Sequence, residues 1–180
     1  PFYMEALQRV YTVHERTHEL DPSAFAALAP SIVGIAASGE SKVSAELLAQ
    51  LPAVRVVSVF GVGYDGVDAK AAVARGVPVT HTPDVLTDDV ADIAVAMLLA
   101  LVRQVGPAED WVRSGDWAAK GMFPLTRKVS GTRAGILGLG RIGSAIARRL
   151  QGFGMEIAYS ARGPKPGAEG WTFVPGAVEL

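Results

Sequence analysis

The sequence predicts an α/β protein made of two units, each organised on a parallel sheet. Three observations predict it. Short apolar runs at residues 32–37, 54–60, 77–80, 134–137 and 155–160 alternate with segments of helical spacing, which is the pattern of strands joined by crossover helices. The alternation breaks at Thr82-Pro83-Asp84, just before the longest helical segment. Gly138, Gly140 and Gly143 then spell G-x-G-x-x-G between a strand and a helix. The boundary is expected at residue 84, dividing the chain into 1–84 and 85–180.

In chain order, residues 2–10 read as a short helix and 11–14 as a strand. Asp21-Pro22-Ser23 is a helix-start signal before 24–28. Residues 32–37 read as a buried strand with a loop at 38–41, and Ser44 can cap a helix running to Leu51. Residues 54–60 are a second buried strand ending in Gly61-Val62-Gly63-Tyr64-Asp65-Gly66-Val67-Asp68. Asp68 can cap a helix over 69–74, which Gly76 stops, and 77–80 is a short strand. The longest helix is expected from Thr87, a candidate cap, with Asp88 and Asp89 suiting its positive end. Gly106-Pro107 should interrupt it, 108–113 continue it, Ser114-Gly115-Asp116-Trp117 turn, and 118–132 form a loop.

The glycine segment carries the strongest chemical signal. After the strand at 134–137, Gly138 permits a tight turn, Gly140 lets a pyrophosphate approach the backbone, and Gly143 lets the helix pack on the strand. Ile142, Ala145, Ile146, Ala147 and Leu150 supply the apolar face of that helix, whose free first-turn N–H groups and dipole favour an anion. Gly138, Leu139, Gly140, Arg141, Ile142 and Gly143 are therefore the expected dinucleotide-binding segment. Gly152 and Gly154 sit where glycines end a helix, and the next strand finishes in Tyr159-Ser160-Ala161-Arg162. A site for NAD places an acidic residue about 20 positions past the glycines. Here Ala161 and Arg162 stand in that region, with Lys165 nearby and no Asp or Glu. A guanidinium there suits a 2′-phosphate, so NADP(H) is expected over NAD(H).

Composition sets outer limits. Apolar residues are 49% of the 180, and 17 basic against 18 acidic residues leave a net charge of -1. No basic run suggests a nucleic-acid face, and no apolar run suggests a membrane span. The absence of cysteine excludes disulfides and thiolate metal sites, and no metal is expected. A cytoplasmic enzyme is the default expectation. The chain begins at Pro1 and ends soon after the second strand of the glycine unit, so truncation at both ends is expected.

Five motifs follow one another in order: Gly61 to Asp68, Arg75 to Pro83, Val85 to Asp92, Arg113 to Trp117 and Gly138 to Gly143. Together they resemble the D-isomer-specific 2-hydroxyacid dehydrogenases, with the closest likeness to glyoxylate/hydroxypyruvate reductases. The resemblance implies a flavodoxin-like N-terminal part of a substrate domain, then an incomplete Rossmann domain. It implies reversible hydride transfer between nicotinamide and a small 2-oxoacid or 2-hydroxyacid, and a homodimer. It implies that Val62 and Gly63 offer N–H groups to the substrate carboxylate and that Thr87 faces the cofactor. The family's reaction also needs an Arg, a Glu and a His, expected beyond Leu180, so these 180 residues alone should be inactive. His14, His18 and His81 match no catalytic position, Trp111 and Trp117 read as packing residues, and Arg113 as a surface or interface charge. Two other readings stay open: a dehydrogenase for another acid such as 3-phosphoglycerate or formate, and a dinucleotide-sensing protein like the corepressors that share this fold.

Overall fold

The computed structural model describes residues 2–180. The chain divides after Pro83 into two compact units, each with its own three-stranded sheet and its own buried cluster.

In the first unit, α1 (Phe2–Gln8), α2 (Thr17–Leu20) and α3 (Pro22–Leu28) precede β1 (Gly34–Ser38), α4 (Ala45–Gln50), β2 (Val56–Phe60), α5 (Ala69–Ala74) and β3 (Val79–Thr80). The strands are parallel in the order β1-β2-β3, with Gly34 opposite Val56 and Val57 opposite Val79. Three helices start on side-chain caps. Asp21 accepts from the Ala24 N–H at 2.9 Å, Ser44 from Leu47 at 3.2 Å and Asp68 from Ala71 at 2.9 Å. Each cap satisfies an amide that the helix cannot. Leu48, Val57, Val59 and Ala72 fill the core.

The expected strand at 11–14 is absent. The Tyr11 N–H instead donates to the Leu7 carbonyl, closing the end of α1, and strand propensity does not hold a segment without a neighbour. The strands expected to be buried bury one face only. β2 turns Val57 and Val59 inward and Ser58 and Phe60 outward, where Tyr3 of α1 stacks on Phe60. In β1 only Ala37 is fully buried.

In the second unit, α6 (Thr87–Val102), α7 (Val105–Arg113) and α8 (Asp116–Lys120) lead to β4 (Arg133–Leu137), α9 (Arg141–Gln151), β5 (Glu156–Ser160) and β6 (Thr172–Phe173). These strands are also parallel, ordered β4-β5-β6, with Leu137 opposite Ser160. That order is one half of a doubly wound sheet. β6 spans two residues, too short for periodicity to reveal. The long helix breaks at Gln104, which takes φ 50°, and not at Gly106-Pro107. Those two lie in the first turn of α7, where proline's missing N–H costs nothing. Thr87 is the first helical residue of α6 and not its cap; Leu86 holds the cap position with no side-chain bond. The turn expected at 114–117 contains only Ser114 and Gly115, because Asp116 and Trp117 open α8. At the end of α9, Gly154 takes positive φ and Gly152 stays helical.

A charge ladder joins α6 to α9. Asp84, Asp88 and Asp92 recur every four residues and meet Arg141 and Arg149. Arg141 Nε lies 2.7 Å from Asp84, Arg149 Nη2 3.0 Å from Asp88 and Arg149 Nε 2.6 Å from Asp92. The hydrogen bonds to Asp88 and then Asp92 raise the Arg149 pKa above its ordinary value. Among the described residues no single helix is long and apolar enough to cross a membrane.

Candidate cofactor and substrate loops

Chain direction places the glycine segment. β4 and β5 run parallel and end together, so the turn after Leu137 and the turn after Ser160 leave the same edge of the sheet. In open α/β sheets ligands bind outside that carboxyl edge. Gly138 takes φ 90°, and its N–H donates to the Ser160 carbonyl at 2.9 Å, joining the two turns. A Cβ on Gly143 would strike the Gly138 carbonyl oxygen and crowd Ile136, so only glycine lets α9 lie this close to the strand. A Cβ on Gly140 would meet nothing within 4 Å, so the backbone there faces open space.

Gly140 has no side chain with which to cap α9, so no side-chain oxygen takes the first-turn amides. That leaves an electropositive helix start beside an open glycine, which suits a phosphate. A dinucleotide's pyrophosphate fits this chemistry. Leu139 is buried in the core, so only its backbone can face a ligand. Ile142 and Arg141 begin the helix, and the Arg141 side chain is engaged by Asp84. That contact sets Asp84, three residues before Thr87, against the glycine segment. Thr87 itself is half-buried. Ala161 packs against the core of the unit, whereas Arg162 is exposed and makes no ion pair or hydrogen bond among the described residues.

In the first unit, Val62 and Gly63 follow β2 at the carboxyl edge of its sheet. Among the described residues neither amide donates a hydrogen bond, whereas the groups on both sides are secured. The Thr82 N–H donates to the Gly61 carbonyl at 2.9 Å, and Val43 pairs with Gly66 and Asp68 through its N–H and carbonyl. Sequence reasoning gave His81 no function beyond structure. Its Nδ1 lies 2.9 Å from the Val62 carbonyl, so Nδ1 carries the proton and donates, and Tyr64 packs edge-on against the ring at 5.0 Å. His81 thus holds the loop that presents the two amides.

His18, Arg113 and Trp111 make local contacts. His18 packs near Phe25 and Glu19 in α2 and α3, Arg113 pairs with Glu109 on the surface, and Trp111 donates Nε1–H to the Gly121 carbonyl. Trp117, expected to pack, is 55% exposed. The aspartates of the ladder were legible as a four-residue repeat, but their partners lie 57 and 61 residues away for Arg149, beyond any local pattern.

Comparison with known proteins places the sequence and the fold. The sequence model of the D-isomer-specific 2-hydroxyacid dehydrogenase catalytic domain matches residues 3–169. Hydroxyphenylpyruvate reductase of Plectranthus scutellarioides is 45% identical over 84% of this chain and 48% of its own length. A solved 2-hydroxyacid dehydrogenase from Ketogulonicigenium vulgare Y25 superposes with a TM-score of 0.92 at 51% identity, covering 99% of this chain and 57% of that one. An NADPH-dependent glyoxylate/hydroxypyruvate reductase from Sinorhizobium meliloti, solved with NADP and malonate, has a TM-score of 0.72 at 47% identity over 86% of this chain and 49% of its own. The chain spans about half the length of the curated relatives it matches.

Proposed function

This chain belongs to the D-isomer-specific 2-hydroxyacid dehydrogenase family, and from that membership we propose that it is part of an NADP(H)-preferring reductase of glyoxylate or hydroxypyruvate. The observation that carries the reading is the glycine turn at the carboxyl edge of the β4-β5-β6 sheet, with open space at Gly140 and no side-chain cap on α9. Residues 1–84 are the N-terminal part of the substrate domain, and 85–180 part of the Rossmann domain.

Each element has a distinct task. The segment from Gly138 through Leu139, Gly140, Arg141 and Ile142 to Gly143 receives the pyrophosphate through backbone N–H groups. Thr87 faces the cofactor, its hydroxyl making no cap bond because Leu86 and not Thr87 stands at the cap position. Arg162 grips the 2′-phosphate and Ala161 seats it, with no acidic side chain there to repel the charge. The Val62 and Gly63 N–H groups orient the substrate carboxylate, steadied by His81. The nicotinamide, when bound, exchanges a hydride with C2 of the substrate. The proton donor and the arginine for the carboxylate come from residues beyond these 180, so the chain alone turns over no oxoacid.

A homodimer is favoured by one surface. Val90, Ile93, Met97 and Leu101 form an apolar stripe along α6, with Ile93 57%, Met97 64% and Leu101 78% exposed. Such a stripe is a contact surface in want of a partner, and a second copy offers the same stripe in return.

The test uses the protein expressed from its whole reading frame. It should reduce hydroxypyruvate and glyoxylate with NADPH. Arg162→Ala should lower kcat/KM for NADPH about tenfold, the size of one charge-assisted contact, and leave NADH nearly unchanged. Failure to reduce either oxoacid overturns the substrate assignment, and equal losses with both cofactors overturn the role of Arg162.

A further inference from the structure

Tyr159 has a hydroxyl that packing does not require. Its side chain is 2% exposed, and its ring rests against Phe173 of β6 at 5.5 Å. Phenylalanine would fill that space equally well, and a buried hydroxyl is costly without a partner. The partner is in the loop that follows: the Lys165 N–H donates to the Tyr159 hydroxyl at 3.0 Å. Lys165 stands between Pro164 and Pro166, whose rings restrict the backbone on both sides. Further on, the Gly167 N–H donates to Glu169 at 3.2 Å and Ala168 is buried. Arg162 therefore lies between two fixed points, the end of β5 and the pinned amide three residues later.

We propose that Tyr159 is a positioning residue for cofactor choice: its buried hydroxyl holds the 161–166 loop so that Arg162 is set for a 2′-phosphate. This rests on the reading of Arg162 given above. A guanidinium on a loose loop must be ordered by the ligand itself, and that ordering opposes binding. The hydroxyl does the ordering in advance. It never touches the cofactor, so its removal acts only through Arg162.

The experiment is a double-mutant cycle in the protein expressed from its whole reading frame. Dissociation constants for NADPH, NADH and 2′-AMP are measured by calorimetry, with hydrogen exchange at the Lys165 amide and a thermal melt for each variant. Tyr159→Phe should weaken NADPH and 2′-AMP about fivefold, a typical worth of one net hydrogen bond. NADH binding should hold, and exchange at Lys165 should accelerate. In the Arg162→Ala background the same substitution should have no further effect on the NADPH/NADH ratio. Pro166→Gly, which loosens the loop from the solvent side and leaves the core intact, should shift the ratio in the same direction. If Arg162→Ala collapses the ratio while Tyr159→Phe leaves it unchanged, the inference is overturned and the role of Arg162 stands. Equal weakening of NADPH and NADH by Tyr159→Phe also overturns it. If Arg162→Ala leaves the ratio unchanged, the underlying reading fails and the inference falls with it.

Discussion

Within six residues, Gly143 and Gly140 stand under opposite physical constraints. Gly143 is fixed by contact, since a Cβ there collides with the backbone carbonyl of Gly138, which no rotamer change can move aside. Gly140 is fixed by nothing in the fold: its φ of -92° is open to any residue and the space around it is empty. Gly143→Ala should therefore destabilise the second unit by about 1–3 kcal/mol or more, seen as a lower Tm without ligand. Gly140→Ala should leave the Tm unchanged and weaken NADPH binding, because the methyl group occupies the path of the pyrophosphate. A Gly140→Ala variant that bound NADPH normally would show that the pyrophosphate does not approach there. His81→Ala makes a parallel case in the first unit. It should raise KM for the oxoacid more than it lowers kcat, because the Val62 carbonyl loses its donor and the two amides lose their fixed aim.

At the scale of elements, α6 behaves as part of the second unit and not as a plain connector. Helix packing brings Ala91 and Val95 of α6 into the core, and the aspartate ladder ties Asp84 to Arg141 at the start of α9 and Asp88 to Arg149 in its last turn. Exposed ion pairs contribute little each, but Arg149 is bidentate across two carboxylates and also donates to the Ala145 carbonyl at 3.2 Å. Arg149→Gln should lower the Tm at low salt, and the difference from the parent should shrink at high salt. A difference independent of salt would mean that the arginine acts through packing alone. The helices also show what local rules capture. Asp21, Ser44 and Asp68 cap their helices as their spacing predicts, because a cap bond closes within three residues. Thr87 does not cap, since α6 already begins at that residue, and the break falls at Gln104, which takes φ 50°.

For the whole molecule, two separate cores imply separable failures. Leu48 is fully buried in the first core and Leu150 nearly so in the second. Each, changed to Ala, should cost about 2–5 kcal/mol, and hydrogen exchange should rise in the unit that carries the change. The α6 stripe belongs to this scale as well. Met97→Glu should turn a dimer of the protein expressed from its whole reading frame into a monomer by light scattering, with little change in Tm of the monomer. A variant still dimeric would move the interface elsewhere.

The sequence by itself determined the α/β class, the parallel strands, the side-chain caps Asp21, Ser44 and Asp68, the family and the place of the glycine turn. All of these rest on contacts between residues a few positions apart, or on a repeat that a single strand or helix displays. Tertiary structure alone decided which faces of the strands are buried, that 11–14 has no partner strand, and that β6 exists. It alone brought Arg149 to Asp88 and Asp92, His81 to Val62, and the Lys165 amide onto the Tyr159 hydroxyl. The first two pairings join residues far apart in the chain. The third is close in sequence but depends on β6 packing Phe173 against the Tyr159 ring, so that the hydroxyl meets the returning loop.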